Sequence, residues 1–343
     1  MRLTKVHWQD ALKLSISLVL FYWLALANDW ELPQYGALAI VLVGMGAADA
    51  SLKKGLLRVA GTAVGVAIGL LMLGLFAQDR WGAMLFFAGY LVLVTYNMLG
   101  SRYAYAWFVA GFVPAIVWAD TYMNVQNSFY FGTYRYLETA TGVVIYTIVA
   151  MVLWPRSTPT PAPPSADTPT RFTIDTRRLR QACLPGICFC VGFVFWVTCD
   201  PPTGPKIPMM AAIFAMMLLL IKAKPIPILI SLLASTLFAV APVYLFIMPH
   251  LSTGTELLTL VFVYTCTYSL IGARWPATKT QPLVTFVMMT GISNQQSYSF
   301  MGIVNGTLMF LLAQGIVTLV YVLRLPEQTA ETPEPLPAAT PSS

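Results

Sequence analysis

Apolar runs separated by short polar stretches recur along the whole chain. A helix that spans a bilayer takes about 20 mostly apolar residues, and twelve runs approach this length. Because lipid offers no partner for backbone polar groups, each run is predicted to be a helix. The predicted spans are 14–28, 35–50, 59–76, 82–99, 103–119 and 136–154 in the first half, and 181–198, 207–222, 226–247, 255–273, 281–293 and 301–323 in the second.

Three of these runs, at 35–50, 207–222 and 281–293, are short or interrupted, so the predicted number of spans is twelve, give or take about one. The composition agrees with a membrane protein. Charged residues make up only 10% of the chain and hydrophobic residues 57%, whereas a soluble domain carries about 25% charged residues. The predicted fold class is all-α, a polytopic membrane protein of about twelve transmembrane helices arranged as two parallel six-helix repeats.

Two polar, proline-rich segments follow the two apolar blocks. Residues 156–178 have the composition of an extended linker, and residues 326–343 that of a disordered tail. The predicted organisation is therefore a first six-helix membrane repeat at 1–155, the cytoplasmic linker, a second six-helix repeat at 179–325, and the tail.

The twenty lysines and arginines fall mostly on one side of this arrangement. If the N-terminus is cytoplasmic and the spans alternate, only Arg80, Arg135 and Lys206 lie outside. Cytoplasmic loops of membrane proteins carry such an excess of positive charge. We therefore expect a multi-pass protein of the inner membrane, with both termini and the linker in the cytoplasm. The net charge of +6 is spread over these loops and does not indicate a nucleic-acid partner.

The two halves resemble each other weakly at a shift of 170 residues. A small residue recurs at every fourth position in both halves, namely Gly61, Gly65 and Gly69 in the first, and Ser231, Ser235 and Ala239 in the second. Six spans per half is an even number, so the halves have the same orientation, and a pseudo-twofold axis along the membrane normal is expected. A substrate path between the halves is then expected along that axis.

The glycines of the first half share one helical stripe with Lys54 and Arg58, because the steps between them are three or four residues. Small residues let a neighbouring helix approach closely, so tight helix packing is the simpler interpretation. The alternative is that the glycine face also leaves room for a solute. Gly142 is a further candidate for close packing, on the sixth helix.

Three stretches carry a family resemblance. The sequence "LKKGLLRVAGTAVGVAIG" (52–69), preceded by "DWELPQYGALAIVLV" (29–43), resembles the third and second helices of the fusaric acid resistance and aromatic acid exporter family. "YRYLETATGVVIYTIVAMVLWP" (134–155) resembles its sixth helix, with Arg-x-x-Glu, a glycine and a closing Trp-Pro. The plant aluminium-activated malate transporters share the Lys-Gly…Arg…Gly-Thr pattern. The resemblance implies efflux of aromatic or other organic acids across the inner membrane.

A carboxylate substrate with a flat ring needs a fixed cation, polar donors and aromatic surfaces. Charged groups at bilayer depth cost about 2.5–3.5 kcal/mol, so those that are retained there are candidate functional residues. Arg58 lies one turn inside the third helix, where it is either a substrate-binding cation or an interfacial one. Arg135 and Glu138 are one turn apart at the outer start of the predicted sixth helix, where they form either an intrahelical ion pair or a substrate gate with a proton-coupling carboxylate.

Four further residues are weaker substrate-binding candidates. Lys206 follows "DPPTGP" and has a loop cation as its alternative interpretation. Asn97, Gln296 and Asn305 are amides near predicted helix ends, where such groups commonly satisfy backbone atoms instead.

Other chemistries lack their motifs in this sequence. No G-x-x-x-x-G-K-[ST] loop is present, and the two histidines and five cysteines form no metal-binding spacing. We therefore predict no enzyme, no cofactor and no metal. The predicted function is gradient-driven export of organic anions, with a passive organic-anion channel or a membrane scaffold subunit as the alternative. Its predicted partners are membrane lipid and a small organic-anion substrate, together with two that the sequence leaves open, a periplasmic adaptor protein and a second copy of the chain.

Overall fold

In the computed structural model, every regular element of the described residues is a helix. These residues are 4–31, 33–44, 48–154, 175–275, 280–295 and 298–324, without the side chains of 48–53 and 324. Nine helical segments in these ranges are long and apolar enough to cross a membrane. The predicted all-α, polytopic membrane class is therefore confirmed.

Among the described residues, six helices precede the proline-rich segment and six follow it. The first six are α1 Lys5–Ala27, α2 Gln34–Gly44, α3 Ala48–Leu75, α4 Arg80–Gly100, α5 Ala104–Thr121 and α6 Ser128–Val152. The second six are α7 Thr176–Cys199, α8 Lys206–Ile221, α9 Pro225–His250, α10 Gly254–Arg274, α11 Thr280–Thr290 and α12 Phe300–Arg324. The side of the molecule where α1, α3 and α5 begin is called the N side below, and the opposite side the C side.

Three helices are short, as the interrupted runs predict. Helices α2 and α11 have 11 residues each, and α8 has 16. At 1.5 Å per residue, an 11-residue helix is about 16 Å long and crosses only half of an apolar core about 30 Å thick. Short and interrupted helices are typical of transporter folds, in which they end beside the substrate site.

Helix α11 is continued toward the C side by a non-helical segment. The helix ends at Thr290, and Gly291 adopts a positive φ of 51°, which suits glycine after a helix. Beyond it, the Asn294 side chain donates to the Leu26 carbonyl and to the Asp29 carboxylate in the loop after α1. This segment is therefore tied to protein rather than left facing lipid, as irregular backbone at membrane depth requires.

Contacts between the two sets of six helices come in reciprocal pairs. Helix α1 packs on α10 and α4 on α7, while α2 packs on α11 and α5 on α8. By position, α7 corresponds to α1 and α10 to α4, so the α4–α7 contact is the α1–α10 contact with the halves exchanged. The same holds for α2–α11 and α5–α8. A pseudo-twofold relation between the halves produces this pairing.

The domain bounds at 155 and 179 stay predictions. The linker as far as 174 and the whole tail lie outside the described residues.

The glycines at 61, 65 and 69 lie against α5. A Cβ added to Gly65 would come within 2.6 Å of the Val113 Cβ, and one added to Gly61 or Gly69 would meet Val109 or Val117 as closely as 2.9 or 3.0 Å. Ordinary side chains do not fit at these distances, so glycine permits α3 and α5 to pack along their length.

Close backbone packing recurs between α2 and α6. A Cβ on Gly142 would collide with the Gly36 carbonyl oxygen of α2. This close approach brings the buried stripe of α6, which carries Arg135, Glu138 and Tyr146, against α2.

Candidate functional site

A polar pocket of about 490 Å³ lies on the C side of the first half. It is formed by the end of α5, the start of α6 and the loop between α1 and α2. Its lining includes three carboxylates, and the full set is Glu31, Asp120, Thr121, Asn124, Asn127, Tyr130, Phe131, Tyr134 and Glu138.

Asp120, which lines this pocket, belongs to a group of three side chains beside it. The Tyr35 hydroxyl, at the start of α2, donates to Asp120 Oδ2 at 2.6 Å. The Arg135 guanidinium carbon lies 3.7 Å from the centre of the Tyr35 ring, which is a cation–π contact. These side chains come from α2, α5 and α6, so the packing of three helices positions them.

The second half contributes one cation to the same place. Lys206, the first residue of α8, lies with its Nζ 3.5 Å from Asp120 Oδ1. Its side chain is 51% exposed and that of Asp120 is 16% exposed. The ion pair therefore joins the two halves at the C side, next to water.

Arg58 lies deeper, on α3, and is 2% exposed. Its Nη1 donates to the Tyr105 hydroxyl at 3.0 Å, and its guanidinium carbon is 6.0 Å from the Phe112 ring centre. The charged and polar groups that act electrostatically on Arg135 are Tyr35, Asp120, Arg58 and Glu138. We call the set Tyr35, Arg58, Asp120, Arg135, Glu138 and Lys206 the charged layer.

Both buried guanidinium groups keep nitrogen atoms without a hydrogen-bond partner among the described residues. These are Nε of Arg58, and Nε and Nη1 of Arg135. Buried polar atoms are nearly always paired in native proteins. Each of these nitrogen atoms is a charged donor to which a carboxylate oxygen could bond, so an anionic ligand fits them.

A second, much larger cavity of about 1210 Å³ lies on the N side of the charged layer, between the two halves. Helices α2, α3 and α5 form one wall, and α8 to α12 form the others. Among the described residues that line it, Lys54 is the only charged one. The lining is mostly apolar, and its aromatic rings and methionines include Tyr105, Phe108, Phe112, Met209, Met210, Phe214, Met217 and Phe310.

The charged layer separates these two spaces. Tyr35 lines the apolar cavity and Asp120 lines the polar pocket, and one hydrogen bond joins them. An organic anion that moved from one space to the other would have to break or bypass that bond.

The structure brings four of the predicted site residues together, namely Arg58, Arg135, Glu138 and Lys206. Arg135 and Glu138 are not at the start of α6, because that helix begins at Ser128, and both are buried. Lys206 begins α8 and pairs with Asp120, so it is not simply a cation of the preceding loop.

The predicted amides have other positions. Asn97 donates to the Leu93 carbonyl one turn back on α4, at 2.8 Å, and Asn305 is half-buried on α12. Neither is among the described residues that line the polar pocket or the apolar cavity. Gln296 lies outside the described residues. Of the predicted packing residues, Ser231 and Ser235 line the apolar cavity.

Sequence reasoning did not find Tyr35, Asp120 and Tyr105. Asp120 carried a usable signal, because it is an acid that ends an uncharged run of seventeen residues begun after Arg102. An ionisable residue at the end of a span is a candidate functional residue. The two tyrosines have no such signal, since tyrosine is common where a helix meets the membrane surface.

A multi-pass membrane protein with buried charges between two cavities has the architecture of a membrane transporter. The comparison with known families agrees. Residues 7–168 match the family described as the fusaric acid resistance protein family, which confirms the resemblance found in the sequence. That family is one of membrane transporters. No curated protein and no solved structure matches the chain.

Proposed function

We propose that the protein exports organic anions, aromatic acids above all, across the inner membrane along a path between its two halves. The observation that carries this proposal is Arg135. It is 1% exposed, lies at the boundary between the two cavities, and has two nitrogen atoms without a described partner. A buried cation with open donors is what a carboxylate substrate needs.

The charge of the layer supports an anionic substrate. It holds three cations, Arg58, Arg135 and Lys206, and two carboxylates, Asp120 and Glu138. With both carboxylates ionised, one positive charge is left over. A single bound carboxylate neutralises it, and a buried charge is tolerated only when it is compensated.

The apolar cavity supports an aromatic or otherwise apolar body on that anion. Phe112 and Tyr105 lie next to Arg58, so a carboxylate on the arginine would place its ring against aromatic side chains. Aromatic pairs at such distances stabilise each other by about 0.5–1.5 kcal/mol beyond the burial of their surface.

The predicted orientation assigns each cavity to one side of the membrane. Seventeen of the twenty lysines and arginines fall on the N side by the predicted topology, which places that side in the cytoplasm. The apolar cavity then faces the cytoplasm, and the polar pocket faces outward. Glu138 and Asp120 are the carboxylates through which a proton gradient would be coupled.

A carrier is favoured over a passive channel by the closed boundary between the cavities. A channel needs a continuous opening of sufficient width. Here the Tyr35–Asp120 hydrogen bond and the Lys206–Asp120 ion pair join the walls on the C side. A periplasmic adaptor and self-association remain predictions.

The proposal predicts that Arg135→Gln abolishes transport of a labelled aromatic acid into everted membrane vesicles. We expect a loss of at least about tenfold, equivalent to about 1.4 kcal/mol in the transport step. Arg135→Lys should keep part of the activity, because it keeps the charge but not the planar group with its five donors.

Arg80→Gln is the matched control, since Arg80 is exposed at the start of α4. Rates are normalised to the protein found in the monodisperse peak after detergent extraction. Wild-type rates for Arg135→Gln at equal folded protein would contradict the proposal.

A further inference from the structure

The apolar cavity is bounded on one side by a helix face that also forms the outer surface of the molecule. Pro227, Ile230, Ala234 and Phe238 of α9 all line the cavity. Their spacing of three, four and four residues places them on one face. All four are exposed, Ile230 to 61% and Phe238 to 80%. The cavity therefore opens sideways along α9, toward the bilayer.

The small residues of α9 differ from those of its first-half counterpart α3. In the first half, glycines at 61, 65 and 69 bring α3 against the valines of α5 and close the corresponding space. At the shifted positions, α9 carries Ser231, Ser235 and Ala239, and all three line the cavity. Helix α9 is also distorted by π-helical turns at Ser235–Val240 and Val243–Ile247. Such turns are frequent at functional sites.

The N-side rim of the opening is basic and amphipathic. Trp275, which lines the cavity, is 55% exposed, and the Arg274 guanidinium carbon lies 5.2 Å from its ring centre. Lys222 and Lys224, between α8 and α9, are exposed on the same side. Tryptophan together with lysine or arginine is typical of the membrane–water interface. Cations there attract the anionic end of an amphiphile.

The cavity is also larger than a simple aromatic acid requires. Pockets that enclose a drug-sized ligand have about 300–1000 Å³, whereas this cavity has about 1210 Å³. Its one charged lining residue in the described chain, Lys54, lies with its Nζ 5.1 Å from the Tyr105 ring centre, near the N-side end. A long apolar body would fill the remaining length up to the Tyr35–Asp120 boundary.

Resting on the proposed function, we propose that the preferred substrates are amphipathic organic acids, with a carboxylate head and a long apolar body, which enter from the lipid leaflet through the opening beside α9. The apolar body crosses the face of Ile230 and Phe238. The carboxylate passes from the basic rim at Trp275 to Lys54 and then to Arg58.

The test compares two labelled acids, benzoate and 4-octylbenzoate, in everted vesicles, with vesicles that lack the protein as the background. Ile230→Trp fills the opening with a bulky ring. We expect it to lower the ratio of octylbenzoate to benzoate transport by about tenfold or more. Ala234→Trp, one turn further along α9, repeats the test at a second position.

Leu237→Trp is the matched control. Leu237 is a 52% exposed residue of the same helix that does not line the cavity. Its transport ratio should stay within about twofold of the wild type, as for other surface substitutions. An unchanged ratio in both blocking variants would overturn the inference and leave export of benzoate standing. Failure of the wild type to move either acid would instead reject the proposed function. Movement of a labelled phospholipid in place of both acids would overturn the substrate class.

Discussion

At the scale of single residues, the charged layer is the feature that needs an explanation. Each charged side chain at bilayer depth costs about 2.5–3.5 kcal/mol, yet Arg58, Arg135 and Glu138 are all at most 2% exposed. Mutual pairing reduces that cost but leaves guanidinium nitrogens without a described partner. A ligand that supplies a carboxylate accounts for both observations.

Arg58 gives a residue-scale prediction. If it selects anions, Arg58→Lys and Arg58→Gln should both fold, and export of a labelled aromatic acid should fall in both, with the larger loss in Arg58→Gln. The lysine keeps the charge but loses the planar group that bonds Tyr105 through Nη1. We expect the Gln variant to lose about tenfold or more.

A purely topological role for Arg58 predicts the opposite pattern. Lys53 and Lys54 would still mark the cytoplasmic side, so both variants would transport at the wild-type rate. Equal rates in the three proteins, measured per folded molecule, would remove Arg58 from the path.

At the scale of helices, the contrast between α3 and α9 determines the shape of the molecule. Both carry a small residue at every fourth position, but only α3 carries glycine at three of them. Helix α3 consequently packs closely on α5, whereas the corresponding face of α9 borders a cavity. The two helices thus differ both in their small residues and in what they border, a packed helix in one case and a substrate-sized space in the other.

This contrast predicts different outcomes for matched substitutions. Gly65→Leu must displace Val113, whose Cβ would lie 2.6 Å from the new Cβ. Overpacking of this kind costs about 1–3 kcal/mol or more. Ser235→Leu places its side chain at the cavity wall, so it should fold like the wild type. The measurement is thermal stability and monodispersity in detergent. A Gly65→Leu protein as stable as Ser235→Leu would show that close packing of α3 on α5 is not required.

Much of the element order could be predicted from the sequence, because twenty apolar residues in lipid allow little except a helix. The short runs at 35–50 and 281–293 correspond to α2 and α11, which are short in the structure. Helix α6 begins at Ser128, earlier than the span predicted at 136–154. Residues 128–135 carry too few apolar side chains to register as a span, although they continue the buried stripe.

The charged layer could be predicted only in part. Arg58, Arg135 and Glu138 are conspicuous because they are charges within or beside apolar runs. Tyr35 and Asp120 are 85 residues apart, and only the packing of α2 on its neighbours makes them partners. The sideways opening depends on how closely whole helices approach, which residue patterns alone do not specify.

At the scale of the whole molecule, reciprocal helix pairs place one path between two similar halves. The halves differ in what they contribute. The first supplies Arg58, Arg135, Glu138 and Asp120, and the second supplies most of the apolar wall and Lys206. In the ion pair between Lys206 and Asp120 the lysine is 51% exposed and the aspartate 16% exposed, and pairs that reach the surface contribute only about 0–1 kcal/mol. It can therefore break and re-form at low cost, as alternating access requires.

The central claim is that substrate passes between the halves, through both cavities. Its most direct test uses single cysteines in a background where the five native cysteines are replaced. Ile213→Cys lies in the apolar cavity and Asn124→Cys in the polar pocket, while Leu237→Cys, on the outer face of α9, is the control. Each is treated with a charged, membrane-impermeant thiol reagent from one side of the membrane, and export of a labelled aromatic acid is measured.

The account predicts that the reagent blocks export through Ile213→Cys only from the cytoplasmic side and through Asn124→Cys only from the outside. Added aromatic acid should slow the reaction at Ile213→Cys, and Leu237→Cys should stay active throughout. Full export after complete labelling at both cavity positions would contradict a path between the halves.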